Sequence, residues 1–200
     1  MKCIAALCAA FLCVHTILTC LPVHGEEAIY DSTIRLHVLA NSDSGEDQAE
    51  KLLVRDAVLA YLEGSLAQSN TYGDALTAVS DHLDGIRDCA RDTLGGKYAV
   101  RVELGRETYP VRHYENYTLP AGEYTSLRIL IGKGEGRNWW CVLFPRLCTS
   151  RATEEELYED FIAAGFSPEQ YRLIKNESGT KYKIRFRILE ILAQLTGIDY

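Results

Sequence analysis

The chain has no basic stripe. Its 21 Lys and Arg are scattered among 28 Asp and Glu, giving a net charge of −7 over 200 residues. Gripping nucleic acid requires clustered cations that neutralise phosphates, so this distribution excludes a general nucleic-acid binder. The dispersed acidity serves solubility. Metal chemistry has equally little to draw on. Beyond the first 25 residues the histidines are His37, His82 and His113. None stands at ligand spacing from another His or Cys, so no metal site or cofactor is expected. Internal repeats and low-complexity segments are missing too, which leaves one ordinary globular domain. With 47% hydrophobic residues, a chain of this length buries roughly 70% of its unfolded surface without compulsory staples.

What is present begins with an export segment. Met1-Lys2 is a short positive region, Ile4 to Leu21 is mostly apolar, and Val23-His24-Gly25 resembles a small-residue cleavage pattern before Glu26-Glu27. Residues 1–25 therefore read as a signal peptide. The other reading is a retained membrane anchor, for which about 18 apolar residues is near the lower limit. Either way residues 26–200 form the working domain, outside the cytoplasm in which they were made.

Four of the seven cysteines, Cys3, Cys8, Cys13 and Cys20, belong to that segment, leaving Cys89, Cys141 and Cys148. Export permits a disulfide, and Cys141 with Cys148 is the favoured pair. A continuous strand would separate their Cα atoms by about 23 Å, against about 5.5 Å in a disulfide. The chain must therefore reverse, and Pro145 is placed to end the strand and start a turn. Two buried free thiols are the competing reading.

Periodicity predicts an α+β fold, an antiparallel β-meander packed against helices. Ile34, Leu36 and Val38 alternate with Arg35 and His37, a strand with a polar phase. Asp43 or Ser44 caps a helix running to about Leu62 and stopped by Gly64, with Asp47 and Lys51 as a charge pair along it. Thr71-x-x-Asp74 opens a second helix that continues past Gly85 to Leu94. Tyr98–Leu104, Tyr109–Tyr114, Tyr124–Ile131 and Trp139–Phe144 read as strands. The last two form a hairpin across the Gly132–Asn138 loop. Helices over roughly 153–164 and 184–195 close the chain, with Ser167-Pro168-Glu169 as punctuation between them.

Catalytic readings fare poorly. The glycines of Gly132-Lys133-Gly134-Glu135-Gly136 lead into the strand-like Trp139-Trp140-Cys141-Val142-Leu143-Phe144 rather than a helix, so no helix amides meet a phosphate. A Cys141–His113 nucleophile pair has no local signature around it. His37 and His82 read as ordinary surface or edge residues.

Several long segments resemble the stage II sporulation protein R family. They are Ile34–Ser44, Glu46–Ala49, Val54–Val58, Leu119–Tyr124 with Leu127-Arg128, Gly132–Cys148 and Lys183–Glu190, in matching order behind an export signal. Gly45 and Arg146 stand where proline is expected. The resemblance implies an exported signalling protein and no enzyme. Such a protein is made in the forespore of an endospore-forming bacterium and secreted into the intermembrane space. There it activates a membrane-embedded aspartic protease that processes pro-sigma E in the mother cell. An exported Cys/His enzyme and a structural component of the spore envelope are the alternatives. Aromatic and arginine residues concentrate binding energy, so Arg137, Asn138, Trp139 and Trp140 are the candidate partner contacts. Strand parity puts the two tryptophans on opposite sides, at least one of them toward the core.

Overall fold

A computed structural model describes residues 26–114, 117–147 and 154–175. Its elements are α1 (Glu26–Asp31), β1 (Ile34–Leu39), α2 (Gly45–Ala67), α3 (Tyr72–Asp81), α4 (Leu83–Thr93), β2 (Val100–Tyr109), β3 (Arg112–His113), β4 (Thr118–Leu119), β5 (Gly122–Ile131), β6 (Asn138–Phe144), α5 (Glu154–Ala163) and α6 (Pro168–Lys175). The export segment and the helix expected over 184–195 lie outside the described residues. Among the described residues no helix is long and apolar enough to cross a membrane.

The α+β class holds, but the sheet is mixed rather than a meander. Its order is β2-β5-β1-β6, with β1 parallel to β5 and antiparallel to β6. The expected β5–β6 hairpin does not form, because β1 lies between the two strands. The reason is burial on both sides. Every residue from Ile34 to Val38 is buried, Arg35 and His37 included, and a strand covered on both faces belongs in the middle of a sheet.

One face of the sheet carries Leu36, Val38, Leu127, Ile129 and Ile131 against α2, α3 and α4. The other carries Tyr109, Tyr124 and Val142 against α1, α5, α6 and the small β3–β4 ribbon. This second layer is what takes the polar phase of β1 out of water.

Helix boundaries follow their caps where the packing allows. The Ser44 hydroxyl accepts from the Asp47 amide and starts α2, and Thr71 with Asp74 forms a capping box on α3. Gly64 does not stop α2, which continues to Ala67 and places Leu66 in the core. Packing of an apolar residue there outweighs the propensity cost of about 1 kcal/mol for glycine. The second predicted helix is broken at His82 into α3 and α4. Tyr61 packs over Gly85: a Cβ there would lie 2.0 Å from the Tyr61 hydroxyl, so that side chain would have to move aside. Sequence reasoning missed α6, although its signals were present. Ser167 and Gln170 cap each other reciprocally, with bonds of 2.6 and 3.3 Å, and Pro168 takes the first helical position.

Candidate functional site

The Gly132–Arg137 segment steps over the carboxyl end of β1 and is held there by the Asn41–Asp43 turn. The Asn41 side-chain oxygen accepts from the Lys133 amide at 3.1 Å, Asp43 accepts from the Arg137 amide at 2.7 Å, and the Gly136 amide donates to the Ala40 carbonyl at 2.9 Å. The fit leaves no room for side chains. A Cβ on Gly136 would lie 2.2 Å from the Ser42 carbonyl oxygen, and one on Gly132 2.3 Å from the Asn41 side chain. Gly136 serves a backbone-to-backbone approach, whereas Gly132 adopts a positive φ of 56° against the Asn41 side chain.

Asp47 organises this turn from below. Its carboxylate accepts from Asn41 at 2.9 Å, Ser42 at 2.5 Å and Tyr98 at 2.7 Å. Hydrogen bonds from Ser42, Asn41 and Tyr98 hold its carboxyl well below the usual range. The expected Asp47–Lys51 pair is absent. Lys51 instead donates to Gln48 at 2.7 Å and to the Arg137 carbonyl at 2.9 Å. Burial and the nearby Arg137 push its pKa down. The buried ammonium thereby ties α2 to the crossing segment, a role no local spacing could reveal.

From this support the chain enters β6 at the sheet edge with both tryptophans half-buried on opposite faces. Trp139 packs toward the α2 side, with the Arg55 guanidinium carbon 5.0 Å from its ring centre. Arg55 also pairs with Asp56 at 2.7 Å. Trp140 packs on the other face beneath Arg112, 3.6 Å from its ring centre, and beside His37 at 5.3 Å. Arg137, its side chain 72% exposed, and exposed Asn138 lead into them. The four predicted contacts therefore share one edge, with an arginine over each indole.

Behind Trp140 lies a polar network that the alternation of β1 concealed. His37 is only 5% exposed, contrary to its expected surface position. Its Nδ1 lies 2.9 Å from Glu107. Ser126 donates to the other oxygen of Glu107 at 2.7 Å, and the Tyr109 and Ser126 hydroxyls are 2.6 Å apart. Burial raises the Glu107 pKa, but the bonds from Ser126 and Tyr109 and the adjacent His37 outweigh it and leave the carboxyl below its ordinary value. Glu107 stands between the Ser and the His, so the imidazole has no access to the hydroxyl as a general base. The geometry is not that of a nucleophilic triad.

The Cys141–His113 reading also fails. Cys141 is disulfide-bonded and so presents no thiolate, while His113 is exposed beside Thr118. Cys148, the partner expected for Cys141, lies outside the described residues, and Cys89 is a free thiol. Among the described residues no group of three or more His, Cys, Asp or Glu is placed to hold a metal ion.

The described residues form an α+β domain whose β6 edge carries two tryptophans, each beside an arginine. The chain belongs to the stage II sporulation protein R family, whose pattern it matches over residues 30–154. It is 31% identical over 187 residues to stage II sporulation protein R of Bacillus subtilis (strain 168), covering 84% of this chain and 83% of that protein. No solved structure matches it.

Proposed function

We propose that this protein is the exported signal of sporulation that couples two compartments. Made in the forespore and secreted into the intermembrane space, it activates the membrane-embedded aspartic protease that processes pro-sigma E in the mother cell. Family membership supports the sporulation role. The observation that carries the binding role is the β6 edge, where Trp139 and Trp140 are each half-buried under an arginine beside exposed Arg137 and Asn138. Aromatic and arginine residues of this kind dominate protein–protein affinity.

A ligand activates a protease by binding its active arrangement more tightly than its inactive one. Moving the balance from mostly off to mostly on takes about 5.5 kcal/mol of differential affinity. A few desolvated aromatic anchors supply energies of that size. The test is deletion of the gene in its sporulating host, followed by an immunoblot for pro-sigma E. Precursor should persist, and the wild-type gene should restore processing while a Trp139→Ala/Trp140→Ala double variant that is exported and folded should not. Normal maturation in the deletion strain would refute the reading and leave the envelope component as its replacement.

A further inference from the structure

Arg35 is the anomaly of this molecule. Its side chain is fully buried, yet it makes a single hydrogen bond, from Nη2 to the Tyr114 hydroxyl at 2.7 Å. Its Nε and Nη1 are buried without partners, and among the described residues no carboxylate pairs with it. The ring of Tyr109 lies 3.9 Å from its guanidinium carbon and that of Tyr124 5.0 Å away. These rings spread the charge without replacing hydrogen-bond acceptors. Glu107, on the same face, is already engaged by His37, Ser126 and Arg128. A buried cation left in this condition costs stability, because desolvation is not matched by an opposite charge.

A second cation lies on the same face, over Trp140, whose ring is 6.3 Å from that of Tyr109. Arg112, stacked on Trp140, also has a buried Nε without a partner, and both guanidinium charges act on the Tyr114 hydroxyl. Tyr114 thus offers Arg35 one neutral oxygen and stands two residues along the chain from Arg112. Burial raises the pKa of that hydroxyl, so it remains a phenol and does not become the missing anion. Arg112, Tyr114 and Trp140 are themselves half-buried, which puts Arg35 behind side chains that border solvent.

We infer that Arg35 and Arg112 form a receptor for a carboxylate side chain, an Asp or Glu of the protein that this domain activates. The incoming carboxylate displaces the Tyr114 hydroxyl and accepts hydrogen bonds from both arginines. A carboxylate is the natural occupant because its two oxygens match the paired N–H groups of a guanidinium, and the bonds become charge-assisted. Trp140 then lies at the rim of the same contact, which joins the anion site to the tryptophan edge. The identity of the occupant rests on the activation reading above, whereas the anion site stands on the geometry alone.

The test is thermal unfolding of the full chain in acetate, against chloride of equal ionic strength and against inorganic phosphate, with acetate as the probe. At acetate near saturation the melting temperature should rise by about 4 °C over chloride, and by less in phosphate. Arg35→Met should melt at or above the wild-type temperature in chloride, because it removes a buried charge that has no counter-ion, and should lose the acetate increment. In sporulating cells the same variant, exported normally, should leave pro-sigma E unprocessed. A wild-type chain that gains nothing from acetate overturns the site whatever any variant does. So does an Arg35→Met protein that melts lower and keeps the increment, the signature of a purely structural arginine. A larger increment in phosphate overturns the choice of carboxylate. An intact acetate increment with normal processing in Arg35→Met cells overturns the partner assignment. An intact increment with normal processing in the deletion strain shows instead that the activation reading has failed.

Discussion

The two faces of the sheet use the same strands for opposite purposes. Toward α2, α3 and α4 the inward residues are Leu36, Val38, Leu127 and Ile129, and that layer is mainly apolar, with the Tyr72–Thr125 hydroxyl contact at 2.7 Å between α3 and β5. Toward α5, α6 and the β3–β4 ribbon the same strands present Arg35, His37, Ser126 and Glu107 among tyrosines and Trp140. An apolar face is tolerant of detail so long as volume is kept. A buried polar face is stable only when its groups are matched, and one unmatched member is costly. Here the first face carries most of the apolar core, and the second carries a charge that no carboxylate among the described residues pairs with. That difference places the proposed carboxylate site on the second face.

The largest effect should come from the apolar side. Leu36→Ala, at a fully buried position, should lower unfolding free energy by about 3 kcal/mol through lost transfer energy and a residual cavity, read from urea denaturation. A loss under 1 kcal/mol would mean that this face is not the principal core. A smaller effect is expected from Ser126→Ala on the polar side. It removes a buried hydroxyl that donates to Glu107 and bonds Tyr109, and should cost about 1–2 kcal/mol in the same assay.

The smallest and most diagnostic change concerns pH. Glu107 and Asp47 both have folded pKa values below their ordinary ones of 4.5 and 3.8. Their contributions are therefore fully present above those values and fade as pH falls through the lower folded ones. Melting temperature should drop between pH 5 and pH 3. In Ser126→Ala the Glu107 carboxyl moves back toward its ordinary value, so the acid decline should be shallower. An unchanged slope would detach the Ser126–Glu107 bond from stability.

Much of the local structure was legible in the chain. The Thr71-x-x-Asp74 cap, the alternation within the first half of β2 and the opposite faces of Trp139 and Trp140 follow from spacing alone, since caps and alternation act within a few residues. The strand expected over Tyr109–Tyr114 is instead the end of β2 and the two-residue β3. The four candidate contacts are contiguous in sequence, so their proximity needed no fold to reveal it. Arg35 and His37 were a different matter. Alternation marked them as the polar phase of a half-exposed strand, and the second layer that buries them comes from segments as distant as Tyr114 and Phe161. Lys51 was misassigned for the same reason, one of its two partners being a carbonyl 86 residues away.

The sequence by itself determined the family pattern, the α+β class, the helix caps and the residues gathered at the tryptophan edge, because each depends on local periodicity or contiguous motif. Tertiary structure alone decided that β1 runs between β5 and β6, that Gly136 lets one turn lie on another, and that Arg35 sits in the interior with no carboxylate partner among the described residues. Those outcomes depend on which surfaces meet. Burial and pairing of charge are properties of the assembled layers, and no single stretch of chain contains both sides of such a contact.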